Sequence, residues 1–120
     1  MRDPSPGYRD TMYALVVTLH LRDTEFARVF DRLALDTADH IAECEPGTLL
    51  YVIHTVADAP EVRTIYEVYR DREAFEQHQR QQHTKNFLEQ RDNLIVSTKV
   101  QVLTPVAYMG FTHHPESAGP

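Results

Sequence analysis

The chain has 120 residues, 42% hydrophobic and 25% charged, the balance of one globular domain. Twelve Lys and Arg against eighteen Asp and Glu give a net charge of -6, without the basic stripe that a nucleic-acid binder needs. A single cysteine, Cys44, excludes an intrachain disulfide and a cysteine zinc cluster.

The opening MRDPSPGYRD has no apolar core of a secretory signal, and its Pro and Gly content reads residues 1–11 as a flexible lead-in. No apolar run approaches the roughly 20 residues that cross a bilayer, so a cytoplasmic protein with no membrane partner is expected. MYALVVTLH (Met12–His20) reads as a strand, β-branched and apolar on both parities. That pattern belongs to a sheet covered on both faces. TEFARVFDRLALDTADHIAE follows, with Phe26, Val29, Phe30, Leu33, Thr37 and Ile41 near helical spacing and Asp23 or Thr24 as N-cap.

Glu45-Pro46-Gly47 breaks that helix and turns the chain. Thr48–Val56 and Val62–Arg70 read as two further strands joined through ADAPE as a hairpin. Asp71 can cap a helix carrying Ala74, Phe75 and His78, with a break near Gln81-Gln82. A second segment carries His83, Phe87 and Leu88 before a long last strand, Leu94–Val106, and a tail over 107–120. The order β-α-β-β-α-β over 12–106 predicts an α+β, ferredoxin-like domain with an antiparallel sheet. Helices on one face leave the other to be covered, and a two-fold copy is the simplest cover, so a homodimer is expected.

EPGTLLY, then YEVYRD, then AFEQHQRQQHTKNF resemble the antibiotic biosynthesis monooxygenase (ABM) family of dimeric α+β barrels. The resemblance covers about residues 12–106 and rests on the element order plus E-P-G … Y-E-x-[WY]-x-D … H-x(4)-H-x(3)-F. It implies a cavity between sheet and helices within each subunit, and activities that include cofactor-independent oxygenation of phenols, anthrones and quinols, haem degradation and isomerisation. Two departures stand out. Tyr69 occupies a position where several oxygenases of the family carry Trp, and the chain has no Trp. The stretch KNFLE lacks the ligating His of the haem-degrading branch, which argues against haem degradation.

An oxygenase without metal or flavin needs an electron-rich substrate that ionises and passes an electron to O2. The protein supplies a base, donors for the oxyanion and a dry cavity. His suits the base because its ordinary pKa is about 6.5. By the resemblance, His83 is the first candidate and His78, on the face of Phe75, the second; each could instead be a structural hydrogen-bonding His. Their i, i+5 spacing is poor for one metal, and with no HExxH or Gly-rich phosphate loop no metal or cofactor is expected. Glu67 and Tyr69 share a strand face, directed to the cavity by the resemblance. A buried Glu67 then needs a partner, a His or Arg, while Tyr69 stacks on a ring or donates its hydroxyl. Tyr51 and His54 lie on opposite parities of their strand, so one of them faces the cavity, and the register is left open. Phe75 and Phe87 complete the expected substrate-binding wall.

These readings converge on a homodimeric, cofactor-independent monooxygenase that uses O2 to oxidise an aromatic phenol, hydroquinone or anthrone of polyketide type to a quinone. Two rivals stand beside it: an isomerase, cyclase or lyase that moves protons without O2, and a non-catalytic binder of a small aromatic. Oxygen consumption separates the first from both.

Overall fold

The structure, a computed structural model, describes residues 11–110; His113, His114 and most of the expected lead-in and tail lie outside the described residues. The sheet is built from β1 (Tyr13–Leu21), β2 (Thr48–Val56), β3 (Ala59–Tyr69) and β4 (Ile95–Leu103). All neighbours are antiparallel in the order β2-β3-β1-β4. This is the ferredoxin-like α+β architecture that the order of elements predicts.

Period-two alternation assigns the faces. Leu15, Val17, Leu19 and Leu21 of β1 point toward the helices and are nearly or fully buried, whereas Ala14 packs with Val68 and Met12 on the other side. β2 and β3 join through Ala57 and Asp58, with Asp58 in the left-handed region at φ 64°. Such a two-residue hairpin turn favours Asp, Asn or Gly. The hairpin is tighter than the sequence suggests, because β3 begins at Ala59. Pro60, which has no N–H to donate, lies beside the register shift at Thr55 and Val56.

Helix α1 (Thr24–Cys44) is started by Asp23, whose Oδ1 accepts from the Phe26 N–H at 2.9 Å. Its buried row is Ala27, Phe30, Ala34, Thr37 and Ile41, while Val29 is 40% exposed. The two alanines, rather than Val29, set the inner stripe and let the helix approach the sheet closely. Arg63 of β3 clamps this helix with two hydrogen bonds to Asp31, at 2.7 and 2.9 Å. Phe30 meets Phe87 edge-on at 5.8 Å in the main core, between sheet and helices.

Asp71 caps α2 (Arg72–Arg80) by accepting from the Ala74 N–H at 2.8 Å. Gln81, extended at φ -68° and ψ 142°, separates it from α3 (Gln82–Asp92) at the expected break. Helices cover β1, β2 and β3 but leave most of β4 bare: its helix-side residues Val100 and Val102 are 55% and 58% exposed. The opposite sheet face, with Leu50, Val52 and Tyr66, has no layer over it among the described residues. No helix there is long and apolar enough to cross a membrane.

Candidate active site

The site begins at the end of α1. Glu45 occupies the C-cap position, and its backbone N–H closes the last turn on Ile41. Pro46 and Gly47 then reverse the chain into β2, which leaves the Glu45 side chain only 4% exposed. Its carboxylate receives three donors. His78 Nδ1 lies 2.8 Å from Oε1, Thr48 Oγ1 donates to the same oxygen at 2.7 Å, and His83 Nε2 lies 2.5 Å from Oε2. Burial raises the Glu45 carboxyl, but the hydrogen bonds from His78, Thr48 and His83 outweigh it and hold it below the usual carboxylate range.

Gly47 makes this convergence possible by absence of a side chain. A Cβ there would stand 2.7 Å from the Ala74 Cβ, so only glycine lets the first turn of α2 pack against the start of β2. Arg70 N–H donates to the Gly47 carbonyl at 2.8 Å and ties the two segments together. His78, about one turn beyond Ala74 on α2, is thereby delivered to Glu45.

Between the sheet and α2–α3 lies a cavity of about 200 Å³. His78, Tyr51, Glu67 and Arg91 are among its polar groups, and Leu15, Phe75 and Phe87 are among its apolar walls. Aromatic rings surround the imidazole, with Tyr69 at 5.3 Å and Tyr51 at 6.0 Å. Because Nδ1 of His78 is engaged by Glu45, Nε2 is the nitrogen left to take a proton from a ligand. A carboxylate behind an imidazole fixes its tautomer and stabilises the imidazolium once formed.

Glu67 is 6% exposed, and its partner is neither His nor Arg. Tyr69 donates its hydroxyl to Glu67 Oε1 at 2.6 Å. Burial raises the Glu67 carboxyl above its usual range, against the Tyr69 hydrogen bond and the His78 charge. Tyr69 is fully buried, with its own hydroxyl pushed well above the ordinary phenol value by burial and by Glu67. Tyr51 is raised in the same way, by burial and by the charges of Glu67 and Glu45.

The structure thus gathers His78, Tyr51, Glu67, Phe75 and Phe87 on one cavity, with Tyr69 packed behind it. The strand register resolves the choice on β2. Tyr51 pairs with Glu67 on the helix side, while His54 pairs with Thr64 on the opposite parity and holds the Thr64 carbonyl through Nδ1 at 3.1 Å. His83 stands apart from the cavity. It opens on an outer groove with Gln82 and Asn86, where His40 stacks on it at 5.5 Å. Among the described residues no group of three or more His, Cys, Asp or Glu is placed to hold a metal.

Three members of the site escaped the sequence. Glu45 reads as part of a helix-breaking turn, and its role needs the long-range approach of α2. Thr48 reads simply as the first residue of a strand. Arg91 did carry a signal: at i+7 from Thr84 and i+4 from Phe87 it falls on the inner stripe of α3, where a charge is out of place.

The sequence matches the family profile described as antibiotic biosynthesis monooxygenase over residues 12–90. No curated protein matches it significantly. Among solved structures, a "putative antibiotic biosynthesis monooxygenase" from Caulobacter crescentus superposes with a TM-score of 0.76 at 22% identity, over 84% of this chain and 94% of that one. A protein given the same name from Nitrosomonas europaea superposes with a TM-score of 0.76 at 19% identity, over 88% and 98%. Identities this low carry the fold and not the activity. The profile match, which spans most of the described domain including the Glu45 turn, β3 and α2, carries the family: the chain belongs to the antibiotic biosynthesis monooxygenase (ABM) family.

Proposed function

We propose that this chain is a cofactor-independent monooxygenase that oxidises an aromatic phenol, hydroquinone or anthrone to a quinone. The observation that carries this reading is the Glu45–His78 pair at the wall of an apolar, aromatic-lined cavity. Family membership supports a monooxygenase reaction, and in this reading the pair supplies its base. His78 Nε2 removes the proton from the hydroxyl or the activated CH2 of the substrate, and Glu45 stabilises the imidazolium. The substrate anion passes one electron to O2, and the two radicals recombine as a peroxide. Loss of water from an anthrone peroxide leaves the new quinone carbonyl, so one oxygen atom enters product and the other leaves as water. Phe75 and Phe87 hold the ring, and the apolar walls exclude water from the anion.

His83, the first candidate from the sequence, yields the role of base to His78 in this reading, because it faces the outer groove. We read it as a positioning residue that holds the second oxygen of Glu45. His54 lies outside this cavity.

The protein works as a cytoplasmic homodimer. Bare Val100 and Val102 line the open side of the cavity, and a second copy over β4 and the uncovered sheet face would close it.

Oxygen uptake tests the reaction. Anthrone or hydroquinone substrates should drive O2 consumption, with label from 18O2 in the quinone, and exhaustive chelation should leave the rate unchanged. Product formed without O2 uptake would favour the proton-transfer isomerase or cyclase, for which the same His–Glu pair would serve. A monomer by light scattering at micromolar concentration would remove the proposed closure.

A further inference from the structure

Arg91 lies on the inner face of α3 with Thr84 and Phe87, and its side chain is 16% exposed. One terminal nitrogen reaches Asp92 at 3.0 Å, a carboxylate that is itself 65% exposed. Its Nε is fully buried and has no hydrogen-bond partner among the described residues. A guanidinium N–H shut away from water without an acceptor is a standing cost, and native structures rarely leave one so.

The surroundings say what kind of acceptor. Arg91 is the only Lys or Arg in the cavity wall among the described residues, and Leu88, Val100 and Val102 are among the apolar residues lining the same cavity. The other titratable groups facing the cavity are Tyr13 from β1, Tyr51 from β2, Glu67 from β3 and His78 from α2. The Glu45 carboxylate, behind His78, is engaged by three donors and does not reach Arg91. Glu67 is occupied by Tyr69 and pushed by burial toward its neutral form. The positive charge on Arg91 is felt at Tyr51, whose phenol it pulls downward against burial. The cavity wall therefore carries one guanidinium in low-dielectric surroundings, where a charge-assisted hydrogen bond to it counts for much more than in water.

We propose that Arg91 is the anchor for an anionic oxygen of the bound aromatic, so that the cavity takes its ligand as an oxyanion, an ionised phenol or an aryl carboxylate. This rests on the proposed function only for the aromatic ring; the oxyanion is read from Arg91. For an oxygenase the assignment is useful chemistry, since an ionised phenol gives up an electron to O2 more readily than the neutral form.

The test is binding under nitrogen, so that no turnover intervenes. The probes are 4-nitrophenol, 4-nitrobenzoate and, as the uncharged control, 4-nitroanisole. The wild-type protein should bind one of the two anions about tenfold or more tightly than 4-nitroanisole, and Arg91→Met should erase that preference. Preference for 4-nitrophenol identifies a phenolate site, and preference for 4-nitrobenzoate a carboxylate site. A wild-type measurement stands beside the variant in case Arg91→Met fails to fold. Bound 4-nitrophenol, followed by its absorbance, should titrate about one unit below its free value, the equivalent of a tenfold preference for the anion. Tighter binding of 4-nitroanisole, an upward shift of the bound phenol, no binding of any probe, or a preference that survives Arg91→Met would overturn the assignment. Oxygen uptake is independent of these readouts, so loss of the anion site with uptake intact leaves the proposed reaction standing.

Discussion

Glu45 and His78 are 33 residues apart in sequence, yet they meet at 2.8 Å in a buried contact. One ends α1 and the other lies on α2, so the pair exists only because the Pro46-Gly47 turn lets the two helices approach the same strand end. A carboxylate so placed gives His78 a fixed tautomer and a preferred direction for its other nitrogen.

His78→Ala should therefore lower kcat by about a hundredfold or more, the scale of a positioned acid–base group. His83→Ala should cost much less, because His83 faces the outer groove and reaches the reaction only through Glu45. Raising the pH should restore part of the His78→Ala rate, since a more ionised phenol needs the base less. Steady-state kinetics of the two variants side by side decide the matter: a larger loss in His83→Ala would reverse the assignment.

Tyr69→Phe should act on stability before it acts on catalysis. The hydroxyl is bonded to Glu67 at 2.6 Å and the ring is fully buried, so the group is engaged with the protein. Its removal strands a buried acceptor and should cost about 1–3 kcal/mol in urea unfolding. Ligand affinity should hold. A variant as stable as wild type but unable to bind would mean that the hydroxyl contacts ligand directly.

Gly47→Ala tests the close approach at the turn. Its Cβ would stand 2.7 Å from the Ala74 Cβ and 3.3 Å from an Arg70 nitrogen. The arginine can move, but Ala74 can yield only if α2 shifts. Forced overpacking of this kind costs about 1–3 kcal/mol. Because α2 carries His78, activity should fall together with the melting temperature, and an unaffected variant would show that α2 accommodates the methyl freely.

Much of the domain was legible because local signals agreed. Asp23 and Asp71 as caps, the break at Gln81 and the four strands all follow from propensity and periodicity. The edges were less legible where tertiary packing decides. β4 stops at Leu103 although apolar residues continue to Val106, and Val29 sits on the helical row yet faces solvent. For the site, parity placed Glu67 and Tyr69 on one face and aligned Phe75 with His78. Sequence could not foresee that Glu67 is satisfied by Tyr69 two residues away. Nor could it separate His78 from His83, since the difference lies in which side of the Glu45 carboxylate each approaches. Glu45 itself was invisible as a functional group, because nothing local distinguishes a buried carboxylate at a helix end from a wet one.

The two buried carboxyls should respond to pH with opposite signs. Glu45 is held below the ordinary carboxyl value of 4.5. Its contribution to stability is present above that value and is lost as the pH falls through the folded pKa. Glu67 is raised above 4.5, mainly by burial. Its contribution is present below that value and is lost as the pH rises through the folded pKa, where a buried charge must form. Glutamine keeps the shape of both side chains, and at position 67 it retains an oxygen for the Tyr69 hydroxyl. Glu45→Gln should be destabilising at neutral pH, with the gap to wild type closing in acid. Glu67→Gln should be close to wild type in acid and gain on it as the pH rises. Urea midpoints of the three proteins, measured across the acid and neutral range, resolve both curves. A Glu67→Gln gap that stays flat with pH would show that Glu67 carries no raised pKa and is ionised in the cavity wall. The cavity wall would then hold an anion as well as Arg91, and an oxyanion ligand would bind there only against that charge.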